Sequence, residues 1–115
     1  MKKSSTIICG QIEKILLDNK ALDIIKIDLK NKSSIADFMI ICSGTSNRHV
    51  VSLSNYLLED LKKINLNTLN IEGKRNGDWV LLDAGDVIVH LFRNEVREYY
   101  ALEKMWAEDN INLTI

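Results

Sequence analysis

Apolar side chains near the amino terminus recur at helical spacing: Ile8, Ile12, Ile15 and Leu16 form a stripe, with Glu13, Lys14 and Asp18 off it. This pattern predicts an amphipathic helix over 5–19, capped by Ser4 or Ser5. The period then changes. Ile25, Ile27 and Leu29 alternate with Lys26, Asp28 and Lys30, which predicts a half-buried strand suited to a sheet edge. From Phe38 the chain is apolar up to Ser43, the pattern of a central strand covered on both faces. After the turn "SGTSN", Val50, Leu53, Leu57, Leu61 and Ile64 restore helical spacing. They predict a helix from Asn47 to about Ile64, capped by Ser46 or Asn47.

"NTLNIEG" reads as a short strand, and "KRNG" as a turn in which Gly77 supplies a positive φ. The stretch "GDWVLLDAGDVIVHLF" follows, with the character of a hairpin. The segment "NEVREYYALEKMW" carries Val96, Tyr99, Leu102 and Trp106 near helical spacing and closes the fold as a helix, ahead of a loose tail from Asp109. The fold class is therefore α/β in the broad sense (α+β): a mixed sheet of about five strands with about three helices packed on it. The 115 residues are expected to form a single domain.

Within the hairpin, pairing Asp83 with Asp86 around a two-residue turn at Ala84 and Gly85 sets Trp79 opposite His90. One face then holds Val80, Leu82, Val87, Val89 and Leu91, all aliphatic. The other holds Trp79, Leu81, Ile88, His90 and Phe92, apolar but with two polar handles. Three helices shared between two sheet faces can leave part of the second face uncovered, and uncovered apolar surface marks binding sites.

Composition narrows the functional classes. Hydrophobic residues make up 46% and charged residues 27%, with a net charge of −1. That balance is ill suited to a protein held mainly by nucleic-acid phosphates, so little or no direct nucleic-acid binding is expected, although a local basic patch stays open. Cys9 and Cys42 stand far apart with no CxxC or Cys/His spacing, and read as buried thiols rather than metal ligands. No run of apolar residues has the length of a signal core or a membrane span. A cytoplasmic location is the expectation.

Three stretches could carry chemistry. "SGTSNRH", from Ser43 to His49, joins a strand to a helix amino terminus and has the ingredients of an anion site, but matches neither GxGxxG nor a P-loop. Asp83 and Asp86 could be metal ligands, yet the turn between them explains both, and the Asp-x-Asp of nucleotidyltransferases is absent. His49 and His90 have no nucleophile placed beside them by spacing. In the last helix, Leu102 and Trp106 read as core, while Arg97, Glu98 and Tyr100 are candidates for a surface role.

"ADFMIICSGTSNRHV", "EGKRNGDWVLLDAGDVIVHLF" and "REYYALEKMW" together resemble the signature blocks of the ribosomal silencing factor family, also called Iojap-related proteins, over nearly the whole chain. The resemblance implies a nucleotidyltransferase-like topology without catalytic carboxylates, no enzymatic activity and no cofactor. It implies a partner, the ribosomal protein numbered fourteen on the large subunit, and a function, blocking association with the small subunit to repress translation under nutrient limitation. It also implies homodimers of the free chain. Carried onto this sequence, the partner surface centres on Trp79, Leu81 and His90, with Asp78, Asp83 and Glu98 as acidic contacts and Tyr99 and Tyr100 at its border. The rival expectation is a nucleotide-binding or residual nucleotidyltransferase module built on the 43–49 turn.

Overall fold

The computed structural model describes residues 4–64, 66 and 70–100, the side chains of Tyr99 and Tyr100 excepted. Leu102 and Trp106, expected in the core, and the tail from Asp109 lie outside the described residues. Helix α1 spans Ser5–Asp18, strand β1 Leu22–Asp28, β2 Phe38–Gly44, helix α2 Asn47–Lys63, β3 Asn70–Glu72, β4 Trp79–Asp83, β5 Val87–Arg93 and helix α3 Asn94–Tyr100. The five strands form one sheet in the order β1-β2-β5-β4-β3. Only β2 and β5 run parallel; the other pairs are antiparallel. The mixed α+β architecture expected from the sequence is the one observed.

The helices begin where the hydroxyl caps place them. Ser4 Oγ accepts from the Ile7 N–H at 3.3 Å, and Ser46 Oγ from the His49 N–H at 3.1 Å. In each case a side-chain oxygen satisfies a first-turn amide that has no carbonyl four residues before it. Along α2 the stripe Val50, Leu53, Leu57 and Leu61 is fully buried, each leucine contributing about 1.5–3 kcal/mol of transfer free energy.

That stripe and Ile8, Ile12 and Leu16 of α1 pack on one sheet face, against Phe38, Ile40, Val80, Leu82, Val87, Val89 and Leu91. Cys9 and Cys42 belong to the same core. Burial pushes their thiols up to about 11 and about 12 respectively, so both stay protonated and unreactive.

β2 is buried at every position because β1 and β5 flank it and side chains cover both its faces. The edge position of β1 follows from its alternation, as expected. Its register slips between Leu22 and Ile25, where Asp23 takes a φ of 50° and the strand bulges.

The hairpin register corrects the sequence reading by two residues. Trp79 lies opposite Phe92, Leu81 opposite His90 and Asp83 opposite Ile88. The turn is Gly85 and Asp86, not Ala84 and Gly85: the Ala84 N–H donates to the Val87 carbonyl at 2.9 Å, and Gly85 takes a φ of 80°. Two forces decide it. Ala84 is buried in the first-face core and so stands before the turn, not in it, and the first position of a two-residue hairpin turn favours a glycine at positive φ. A slip of two preserves the alternation, so every side chain stays on its expected face.

Candidate functional site

The second sheet face can be followed in rows. Ile27, Met39, Ile88, Asp83 and Asn70 lie side by side across the five strands, and the next row is Ile25, Ile41, His90, Leu81 and Glu72. Beyond them Ser43, Phe92 and Trp79 form a third row. Ile27, Met39, Ile41 and Phe92 are buried here with Leu29 and Ala36 from the β1–β2 connection, and Val96 of α3 packs at one end. Trp79, Leu81 and Ile88 remain only half-buried.

Trp79 is held from two sides. Its indole stacks on the Phe92 ring at a centroid distance of 4.9 Å, and its Nε1–H donates to His90 Nδ1 at 2.9 Å. A nitrogen that accepts cannot carry a proton, so this bond requires neutral His90 with its proton on Nε2. Burial acts in the same direction and pulls the His90 pKa down to about 4. The ring that looked misplaced in a greasy strand is the acceptor that fixes the tryptophan's orientation. Spacing suggested that the two residues share a face; the bond is diagonal, not directly cross-strand.

The remaining candidates divide. Asp83 sits at the rim of this face, where its Oδ1 also accepts from the Gly85 N–H at 2.9 Å and braces the turn. Asp78 is engaged within the chain: its Oδ1 accepts from Asn47 Nδ2 at 2.9 Å and Arg93 Nε at 3.0 Å, while its carbonyl accepts from the Arg93 N–H. Glu98 is exposed but lines a different opening, a cleft of about 750 Å³ with Asp23, Ile25, Ser43 and Arg97. Arg97 does not take the surface role expected of it. It is 6% exposed, and its Nη1 donates to the Asp23 carbonyl at 2.7 Å and Ser43 Oγ at 2.9 Å, tying α3 to the β1 bulge and β2. The backbone of Tyr99 and Tyr100 lies in α3, and their side chains fall outside the described residues.

Two residues absent from the sequence-derived site complete the patch. Ile88 lies half-buried next to Asp83, and exposed Glu72 pairs with Leu81 from the edge strand. Glu72 could have been found only by pairing β3 with β4, and three residues of strand give too short a pattern to set a register.

The 43–49 turn is closed on itself. The Thr45 N–H donates to His49 Nδ1 at 2.9 Å, and His49 Nε2 reaches the Asn19 carbonyl at 3.0 Å, so the ring bridges the end of α1 to the start of α2. Gly44 is packed so tightly that an added Cβ would meet Val50 Cγ2 at 2.8 Å. Two of the turn's amides, those of Thr45 and His49, are already bonded.

Comparison with known proteins decides the kinship. The family model described as "Ribosomal silencing factor during starvation" matches residues 2–114. The chain belongs to the ribosomal silencing factor family. Among curated family members, ribosomal silencing factor RsfS of Zymomonas mobilis is 52% identical, covering 78% of this chain and 68% of that protein. RsfS of Haemophilus influenzae is 46% identical over 76% of this chain and 86% of its own length. A solved structure from Chromobacterium violaceum superposes with a TM-score of 0.88 at 37% identity, covering 91% of this chain and 88% of that one. Among the described residues of this family member, no helix is long and apolar enough to cross a membrane.

Proposed function

We propose that this protein associates with the large ribosomal subunit through the sheet face of Trp79, Leu81, Ile88 and His90, and there contacts the ribosomal protein numbered fourteen. Bound at that place, it blocks the small subunit and represses translation when nutrients are short. The observation that carries the proposal is the half-buried Trp79, stacked on Phe92 and hydrogen-bonded to His90, beside Leu81 and an acidic margin of Glu72 and Asp83. A rigid aromatic anchor with its polar handle satisfied loses little entropy on binding, and such anchors dominate interface energies. Carboxylates at the margin complement a basic ribosomal protein and speed encounter.

The names of the curated relatives support the ribosomal part of this reading, since they are called silencing factors rather than enzymes. A relative from mouse, 36% identical, is named "Mitochondrial assembly of ribosomal large subunit protein 1". Silencing of this kind needs no bond-making step. Excluded volume at the joining surface suffices, and the degree of inhibition follows occupancy, hence affinity and abundance. In this reading the whole chain acts as one domain and works in the cytoplasm, where the ribosomes are.

The test is sedimentation of purified protein with isolated large subunits, followed by addition of small subunits. The expected result is co-migration and a reduced yield of joined ribosomes. Glu72→Lys, on an exposed side chain, should weaken binding without lowering the unfolding midpoint. Wild-type protein that neither co-migrates nor prevents joining would overturn the proposal.

A further inference from the structure

The chain is nearly neutral as a whole, so a local run of cations needs its own explanation. The turn between β3 and β4 carries Lys74 and Arg75 at its tip. It is closed by Asn76 and Gly77 N–H groups that both donate to the Gly73 carbonyl, at 3.2 and 3.1 Å. Its two glycines are seats. A Cβ on Gly73, at φ 84°, would lie 2.1 Å from the Trp79 carbonyl, and one on Gly77, at φ 76°, would lie 2.9 Å from the Asn47 carbonyl. Asn47 Nδ2 donates to the Asn76 carbonyl at 2.8 Å and fastens the turn to the start of α2. The next residue in α2 is Arg48, exposed in a first turn that holds no acidic side chain.

Arg48 and Arg75 thus stand next in the chain to the two residues of the Asn47–Asn76 hydrogen bond, with Lys74 one further along the same turn. Among the described residues the ion pairs use Lys14, Lys26, Lys63 and Arg93, and none uses Arg48, Lys74 or Arg75. The nearby carboxylate of Asp78 already receives Asn47 and Arg93. A cation in the first turn of a helix also works against the helix dipole, so Arg48 does not stand there for stability. The corner adjoins the binding face: Gly73 and Asn76 share a shallow opening with Trp79, Asp78 and Arg93.

We infer that Arg48, Lys74 and Arg75 form a second contact surface, for the phosphodiester backbone of large-subunit RNA beside the docked protein partner. The inference rests on the proposed ribosomal docking and adds to it a salt-dependent, sequence-independent contact. Arginine and lysine held on a rigid turn suit phosphates, whose neutralisation releases counterions. An acidic protein would be the other occupant. RNA is favoured because the three cations enter no ion pair among the described residues, and the subunit proposed as partner is a ribonucleoprotein.

The test compares the wild type with the triple variant Arg48→Gln/Lys74→Gln/Arg75→Gln, and with Lys32→Gln/Lys62→Gln as a charge control. Affinity for isolated large subunits is measured across a salt series, beside affinity for the isolated ribosomal protein fourteen and for a naked RNA duplex. The triple variant should flatten the slope of log affinity against log salt by about 2–3, and so cut the wild type's affinity loss between 50 and 200 mM salt by about 15–60-fold. Its affinity for isolated protein fourteen should equal the wild type's, and the control should behave as wild type on subunits.

An unchanged salt slope would overturn the inference, and so would an equal loss on isolated protein fourteen, which would make the corner a protein contact. If the wild type fails to bind subunits, the ribosomal reading itself fails. The corner is then judged on the duplex, where equal binding by wild type and triple variant overturns it.

Discussion

The two faces of the sheet use the same strands for different ends. The first is aliphatic from Phe38 to Leu91 apart from the ring of Phe38 and the thiol of Cys42, and α1 and α2 cover it. The second is built from rings, a thioether and branched chains, ends in acidic residues toward β3, and leaves Trp79, Leu81 and Ile88 partly open. The contrast shows how alternation along one hairpin can separate stability from recognition. Val80 and Leu82 are fully buried, while their neighbours Trp79 and Leu81 stay half-buried.

The comparison can be broken most severely from the first face. Leu57→Ala or Leu82→Ala should lower unfolding free energy by about 2–5 kcal/mol, through lost transfer energy and a residual cavity. Urea denaturation would read this as a fall in midpoint. If subunit binding is retained by the folded fraction, the two faces are functionally separate.

On the second face, His90 makes a pH prediction. Its folded pKa of about 4 lies below its ordinary value of 6.5, so between those pH values the unfolded chain binds a proton that the folded chain refuses. Stability contributed by neutral His90 is complete above about pH 6.5, declines as pH falls toward 4, and amounts to about 2–3 kcal/mol. Protonation at Nδ1 would also remove the acceptor for Trp79. Urea midpoints at pH 7 and 4.5 should differ more for the wild type than for His90→Asn, whose amide oxygen can accept but does not titrate.

Trp79→Phe sharpens the same point. It keeps an aromatic ring to stack on Phe92 but leaves His90 Nδ1 without its donor, at a cost of about 1–3 kcal/mol. The proposed binding should fall further than stability does, because the anchor loses its fixed orientation. Smallest in stability is Ser4→Ala, expected to cost about 1 kcal/mol through the lost cap to the Ile7 N–H. It acts on the first-face helix and should leave affinity for subunits unchanged, whereas Glu72→Lys should do the reverse.

Much of this was legible in the chain. The stripes of α1 and α2 and the continuous apolar run of β2 are local patterns with a single good solution, and the caps were narrowed to two neighbours each, of which the structure uses Ser4 and Ser46. The partition of the hairpin also survived a register error of two residues, because alternation depends on parity alone. Of the candidate site, the sequence placed Trp79, Leu81 and His90 on one sheet face, as the structure does, while its reading of the surrounding charges changed. Asp78 and Arg97 read as surface charges free for a partner, but Asp78 is occupied by Asn47 and Arg93, and Arg97 is buried against the Asp23 carbonyl.

By itself, then, the sequence determined which segments are helix and strand and which side chains share a face, since backbone geometry sets those periods locally. The tertiary structure decided the strand order, with β5 returning between β2 and β4. It set the diagonal Trp79–His90 bond and the seating of the Gly73–Gly77 turn between Trp79 and α2. Those depend on contacts between residues far apart in the chain, where packing and hydrogen-bond satisfaction choose among arrangements that the local pattern leaves equal.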